Sequence, residues 1–135
     1  MTTDITSSSK ENADCPFCNA DSQRELILES STVYAMFGKF PVSNGHSLII
    51  PKKHCADYFE LTFTEQSACW LMVNKVEKIL MKKLNPDGFN VGINIHEAAG
   101  QTVSHVHIHL IPRYKDDVKE PRGGIRGVVP ERKNY

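Results

Sequence analysis

The pentapeptide His105-Val106-His107-Ile108-His109 constrains this chain more than any other stretch. Extended backbone sends successive side chains to opposite faces, so three imidazoles at a period of two stand together while Val106, Ile108 and Leu110 face the other way. A lone histidine on a sheet is usually structural, but three in alternation against an aliphatic face give that strand one buried and one working surface. The pattern predicts a strand over 102–111.

The rest of the chain supplies partners for such a strand. Phe89, Val91, Ile93 and Ile95 alternate with Asn90, Gly92, Asn94 and His96, predicting a second half-buried strand. Shorter strands are expected over 25–29, 32–37 and 47–50, the last ended by Pro51, with a loop at 39–45 rich in turn residues that delivers His46. Between 64 and 84, Cys69, Met72, Val73, Val76, Ile79 and Leu80 recur at helical period, and Thr62 with Glu65 has capping-box spacing. Asn85-Pro86-Asp87-Gly88 then stops the helix. The expected fold is α+β, a mainly antiparallel sheet of about five strands with one long helix and short helices.

The 135 residues suit one domain, expected over 15–135, behind a polar leader at 1–14 that reads as disordered. The leader has no apolar core, and no apolar run approaches a membrane span, so the expected location is cytoplasmic, with no membrane partner. Sixteen basic residues balance sixteen acidic ones, which argues against a nucleic-acid partner held by bulk charge. From Arg113 to Tyr135, seven basic residues face four acidic ones; a phosphate-holding surface and a solvated tail explain that surplus equally well. Of the four cysteines, Cys15 and Cys18 have ligand spacing, while Cys55 and Cys69 read as ordinary thiols.

Two chemistries suit the histidine row. Three imidazoles could hold a catalytic zinc ion. Alternatively, one ring attacks phosphorus, with one nitrogen unprotonated and the other fixed by a hydrogen bond, while its neighbours orient it or pass protons. The preceding Gly100-Gln101-Thr102-Val103 favours the second, because backbone N–H groups and a hydroxyl beside histidines can cradle phosphate oxygens.

With these residues in place, the chain resembles the histidine triad (HIT) family of nucleotide hydrolases and transferases. The resemblance rests on Cys15-Pro16-Phe17-Cys18, the Pro41–His46 loop, Leu48-Ile49-Ile50-Pro51-Lys52-Lys53-His54, the long helix, and Ala99 through Arg113. It implies a homodimer joined through the helix and an adjacent strand, with a small-molecule nucleotide substrate. His107 is then the nucleophile that forms a nucleotidyl-histidine intermediate, with His109 contacting the reacting phosphate and His46 supporting the triad. Asn94, Gly100, Gln101 and Thr102 match positions near the phosphate, and Phe37 and Phe40 could line the base pocket. Where many members hold the ribose with Asn or Asp, this chain has Gly38. The closest substrate type is diadenosine tetraphosphate, which would bring magnesium with it. The alternatives are phosphoramidate hydrolysis, phosphorolysis, and a nucleotide-binding regulatory role.

One Cys-x-x-Cys pair cannot close a tetrahedral metal site. The resemblance implies that His54 and His105 complete it as a structural zinc site; packing of the cysteines as reduced thiols is the alternative. In the C-terminal segment, Arg122 and its neighbouring glycines suit phosphate, and the family's use of this region makes Arg122 a candidate substrate contact.

Overall fold

The computed structural model describes residues 14–19 and 25–135. The leader expected over 1–14 lies, apart from Asp14, outside them. Five strands form one antiparallel sheet: β1 (Leu26–Glu29), β2 (Val33–Phe37), β3 (Ser47–Pro51), β4 (Gly88–Ile93) and β5 (Ile108–Arg113), in the spatial order β1-β2-β3-β5-β4. One long helix, α1 (Phe63–Leu84), and short 3₁₀ helices complete the expected α+β fold. No helix among the described residues is long and apolar enough to cross a membrane.

Helix α1 starts where the sequence signals it. The Thr62 side chain accepts from the Glu65 N–H at 3.1 Å, and the Glu65 carboxylate accepts from the Thr62 N–H at 2.7 Å, closing the capping box. Asn85 ends the helix in the left-handed region, at φ 48°. The inward stripe of Cys69, Met72, Val73, Val76 and Leu80 packs on Val33, Ala35, Ile49, Ile108 and Leu110 of the sheet. Ile79, read as part of that stripe, is half-buried.

Strand alternation then puts Tyr34, Met36, Leu48 and Ile50 on the opposite face, where Cys15 and Phe17 cover them. Leu48 pairs with His109, so His109 shares this helix-free face. The site is thereby separated from the main core by the thickness of the sheet.

Both long strands differ from their predicted bounds. The row was expected to be paired from 102, but the β5 ladder begins at Ile108 and runs through Pro112 to Arg113. Upstream of it, the His105 N–H turns back to the Val103 carbonyl at 2.8 Å, and the Val106 N–H donates to the Cys55 carbonyl at 2.7 Å, drawing this segment away from β4. β4 correspondingly ends at Ile93, and the chain leaves the sheet through Asn94 and Ile95.

Candidate active site

The Ser43–Gly45 loop brings His46 to the sheet, and packing fixes it there. Gly45 has φ 91°, and a Cβ at that position would stand 2.6 Å from Leu84 Cδ1 at the end of α1. The loop closes with the Gly38 N–H donating to the His46 carbonyl at 2.9 Å, and Ser43 Oγ donating to the Pro112 carbonyl at 2.6 Å. His46 is buried as a result.

Hydrogen bonds assign the ring protons. The Val42 N–H donates to His46 Nδ1 at 3.1 Å, so the proton of a neutral His46 lies on Nε2. That nitrogen is 3.0 Å from His109 Nδ1, which accepts it and leaves the His109 proton on Nε2. His107 has the reverse tautomer: Nδ1 donates to the His105 carbonyl at 2.9 Å, and Nε2 keeps its lone pair. Burial holds the pKa of His46 and His107 below the ordinary imidazole value. At His109, burial, then the proximity of His107 and His46, pushes it down to about 4. At neutral pH the site therefore holds a nucleophilic nitrogen on one ring and an N–H donor on the next, their centroids 5.1 Å apart.

The rings line a cavity of about 360 Å³ with Pro16, Phe17, Gly38, Lys39, Phe40, Leu48, Thr102 and Val103. Lys39 is the cation of this lining, its Nζ 5.7 Å from the exposed Phe40 ring. Phe17 is buried and meets the His107 ring edge-on at 4.9 Å. Sequence reasoning missed Lys39 and Phe17; the aromatic inside the Cys-x-x-Cys knuckle was the available signal for Phe17.

The other expected contacts are spread more widely. Phe37 packs against the core under α1. Asn94 lies just past the end of β4 and is half-buried. The Arg122 guanidinium donates to the Tyr135 carbonyl at 2.6 Å and lies over the Tyr135 ring, and it does not line the cavity.

The N–H groups of Gly100 and Gln101, expected to be free, donate within the loop to Glu97 and His96 carbonyls at 2.9 and 3.1 Å. Gly100 adopts φ 94° to permit that turn. Gln101 acts as a staple: Nε2 donates to the Ala56 and Val103 carbonyls, and Oε1 accepts from the His96 N–H at 2.7 Å. Among the described residues, no hydrogen bond is made by the N–H groups of Thr102, Val103 and Ser104. Of the four residues expected to offer free N–H groups, Thr102 and Val103 do so, joined by Ser104, while Gly100 and Gln101 turn theirs inward.

His96, at φ 73° and ψ 163°, occupies backbone space almost reserved for glycine, a conformation that costs about 1–3 kcal/mol. Its Nε2 lies 2.9 Å from Asp57 Oδ2.

His105 has a separate task. The ligand atoms of Cys15, Cys18, His54 and His105 all lie within 4.8 Å of one another. Nδ1 of His105 is 3.3 Å from Cys15 Sγ and 3.4 Å from Cys18 Sγ, and Nδ1 of His54 is 3.1 Å from Cys18 Sγ. Around a tetrahedral zinc ion with Zn–S of about 2.3 Å and Zn–N of about 2.0–2.1 Å, the S···N edge is about 3.6 Å, so little contraction or expansion is needed. His105 Nε2 donates to the Pro51 carbonyl at 2.7 Å, which leaves Nδ1 as the ligand nitrogen. Burial and the neighbouring Cys15 push the Cys18 thiol up to about 12, and a divalent cation supplies the compensation a thiolate needs there. The four residues fit such an ion. Cys55 and Cys69 are free thiols, with Cys69 buried under α1.

An antiparallel sheet with a helix on one face, and histidines of fixed tautomer over a cavity on the other, defines the histidine triad architecture. The HIT domain model matches residues 19–116, and this chain belongs to that family. It is 36% identical over 95 residues to bis(5'-adenosyl)-triphosphatase of Dictyostelium discoideum, an alignment covering 70% of this chain and 64% of that protein. The crystal structure of a HIT family protein from Bacillus anthracis is similar, with TM-score 0.72 and 39% identity over 76% of this chain and 75% of that one. A zinc-bound histidine triad family protein from Mycobacterium smegmatis gives TM-score 0.73 and 29% identity over 78% of this chain and 79% of that one.

Proposed function

We propose that this protein hydrolyses dinucleoside polyphosphates of the diadenosine tetraphosphate type through a nucleotidyl intermediate on His107. The observation that carries the reading is the opposed pair of tautomers, a lone pair on His107 Nε2 beside a proton on His109 Nε2. His107 Nε2 attacks the α-phosphorus in line, an N–P bond forms, and the P–O bond to the leaving polyphosphate breaks. His109 Nε2–H donates to a non-bridging oxygen as charge develops there. Water then attacks the same phosphorus and gives up a proton to solvent; the N–P bond breaks, the nucleoside monophosphate leaves and the electron pair returns to His107 Nε2. A polyphosphate leaves as an anion, so the first step needs no general acid.

The name of the Dictyostelium relative supports an adenylyl substrate with a phosphate leaving group. Phe40 and Leu48 in the lining suit a base, Thr102 and the adjoining N–H groups suit the phosphate, and Lys39 suits the polyphosphate chain. Magnesium enters on the substrate. That Lys39 is, among the described residues, the single cation of this lining favours one second reading, a nucleoside phosphoramidate, whose smaller charge needs less compensation. An amine departs only when protonated, so that reaction would require a proton donor at the leaving nitrogen. Comparing kcat/KM for diadenosine tetraphosphate and adenosine phosphoramidate over pH 5–9 tests the choice: the first reading expects preference for the tetraphosphate and a shallow profile, and the reverse preference would replace it.

The tetrad is read as a structural zinc site, supported by its donor chemistry and by the zinc-bound Mycobacterium relative. The protein is read as a homodimer through α1 and an adjacent strand; the edge position of β4 and the exposed Leu71 support this. Sedimentation at micromolar concentration should give twice the chain mass.

A further inference from the structure

We infer that His96 and Asp57 form a positioning latch that sets the Thr102–Val103 wall of the cavity against the reacting phosphate; this rests on the reading that a nucleotide phosphate occupies that cavity. His96 is the hub of its loop. Its N–H donates to Gln101 Oε1, its carbonyl accepts from the Ala99 and Gln101 N–H groups, both at 3.1 Å, and its ring meets Asp57. Asp57 is itself held, because Oδ1 accepts from the Phe59 N–H at 2.8 Å.

Two tethers therefore bind the 96–103 loop to residues 56 and 57. One is His96 to Asp57 and the other is Gln101 Nε2 to the Ala56 carbonyl. Residues 54–57 are anchored in turn by His54 in the tetrad and by the Cys55 carbonyl accepting the Val106 N–H. Thr102 and Val103, at the far end of the loop, line the cavity. The latch thus connects the hydrogen-bonded metal-side segment to the cavity-lining part of the loop.

Stability does not account for His96. The His96 side chain is 68% exposed, so water screens its pair with Asp57, and that weak attraction does not offset a backbone conformation suited to glycine. Glycine at 96 would relieve the backbone and keep every main-chain bond of the loop. What glycine would lose is the side-chain tether. His96 is accordingly a positioning residue.

The test uses the full chain in its metal-loaded form, comparing native protein with His96→Gly and Asp57→Asn. Three quantities are measured: the thermal midpoint, AMP affinity by calorimetry, and kcat/KM on diadenosine tetraphosphate and adenosine phosphoramidate. The latch predicts that His96→Gly melts at or above the native temperature, binds AMP several-fold more weakly, and loses kcat/KM by up to about 10²-fold, as misplacement of the wall requires. Asp57→Asn keeps an acceptor for the Phe59 N–H but removes the carboxylate from His96; with the His96 backbone unchanged it should melt near the native temperature and weaken AMP binding and turnover in the same sense, by a smaller factor. Native affinity and turnover in His96→Gly would overturn the latch, as would losses that track a lowered melting point, or failure of the native protein to bind AMP. If native protein binds AMP but turns over neither substrate, the chemistry assigned to His107 fails, and the AMP comparison alone decides the latch.

Discussion

His46 Nε2 and His109 Nδ1 lie 3.0 Å apart, and the Val42 N–H bound to the other side of His46 determines which of them carries the proton. A backbone amide thereby fixes, through two rings, the His109 proton on Nε2. Replacing His46 by Ala frees the His109 tautomer without touching the nucleophile. Turnover should fall by about 10²-fold or more, the usual scale for a positioned proton donor. The melting temperature should change far less, and a steady-state assay beside a thermal melt checks both.

Acid should weaken the fold through the same pair. The pKa of His46 is depressed by burial, and that of His109 falls from 6.5 to about 4. A histidine depressed in the folded state binds protons more readily when unfolded, so its contribution to stability is complete above the unfolded value and is lost as pH falls through the folded value. Melting temperature should be flat from pH 8 to about 7 and drop between about pH 6.5 and 4. His109→Gln should flatten that drop.

The metal tetrad predicts a stability effect before a catalytic one. Cys18 carries a proton near neutral pH unless a cation is present, so loading zinc at pH 7 should release protons measurable in a weakly buffered titration. Removing the ion, or substituting Cys15 by Ser, should lower the melting temperature by roughly 10 °C, equivalent to a few kcal/mol in a domain of this size. Turnover should fall with it, because Phe17 loses its seat against His107. A catalytic three-histidine zinc site would instead lose activity outright with a smaller fall in melting temperature; the tetrad uses only His105 from the row.

Gly45→Ala tests how the loop is placed. An added Cβ meets Leu84 Cδ1 at 2.6 Å, and the φ of 91° disfavours any side chain. The substitution should cost about 1–3 kcal/mol. It should also reduce turnover, since His46 is the next residue.

Much of this was legible in the sequence because it depends on local pattern. The Thr62–Glu65 box, the stripe from Cys69 to Leu80 and the alternation in β4 each report a periodicity that tertiary packing then obeys. The start of β5 was not legible, because it is decided by distant partners: His105 turns to cysteines about 90 residues earlier, and Val106 pairs with Cys55. Gln101 reads as a phosphate-side residue by its match to a family position, but its side chain holds the loop together. Lys39 gave no signal, since a loop lysine is ordinary until the fold places it at a cavity wall. His96 was visible only as the polar phase of a strand; its positive φ appears once the chain leaves the sheet.

The catalytic roles proposed for His46 and His109 depend on covalent transfer to His107. Native protein and His107→Ala are mixed briefly with diadenosine tetraphosphate and, separately, with adenosine phosphoramidate, quenched without acid, and weighed intact by mass spectrometry. Covalent transfer predicts an adenylyl adduct on the native protein only, loading faster from the tetraphosphate, and loss of product release in His107→Ala. Product release by His107→Ala at the native rate, or an equal adduct on both proteins, would contradict it.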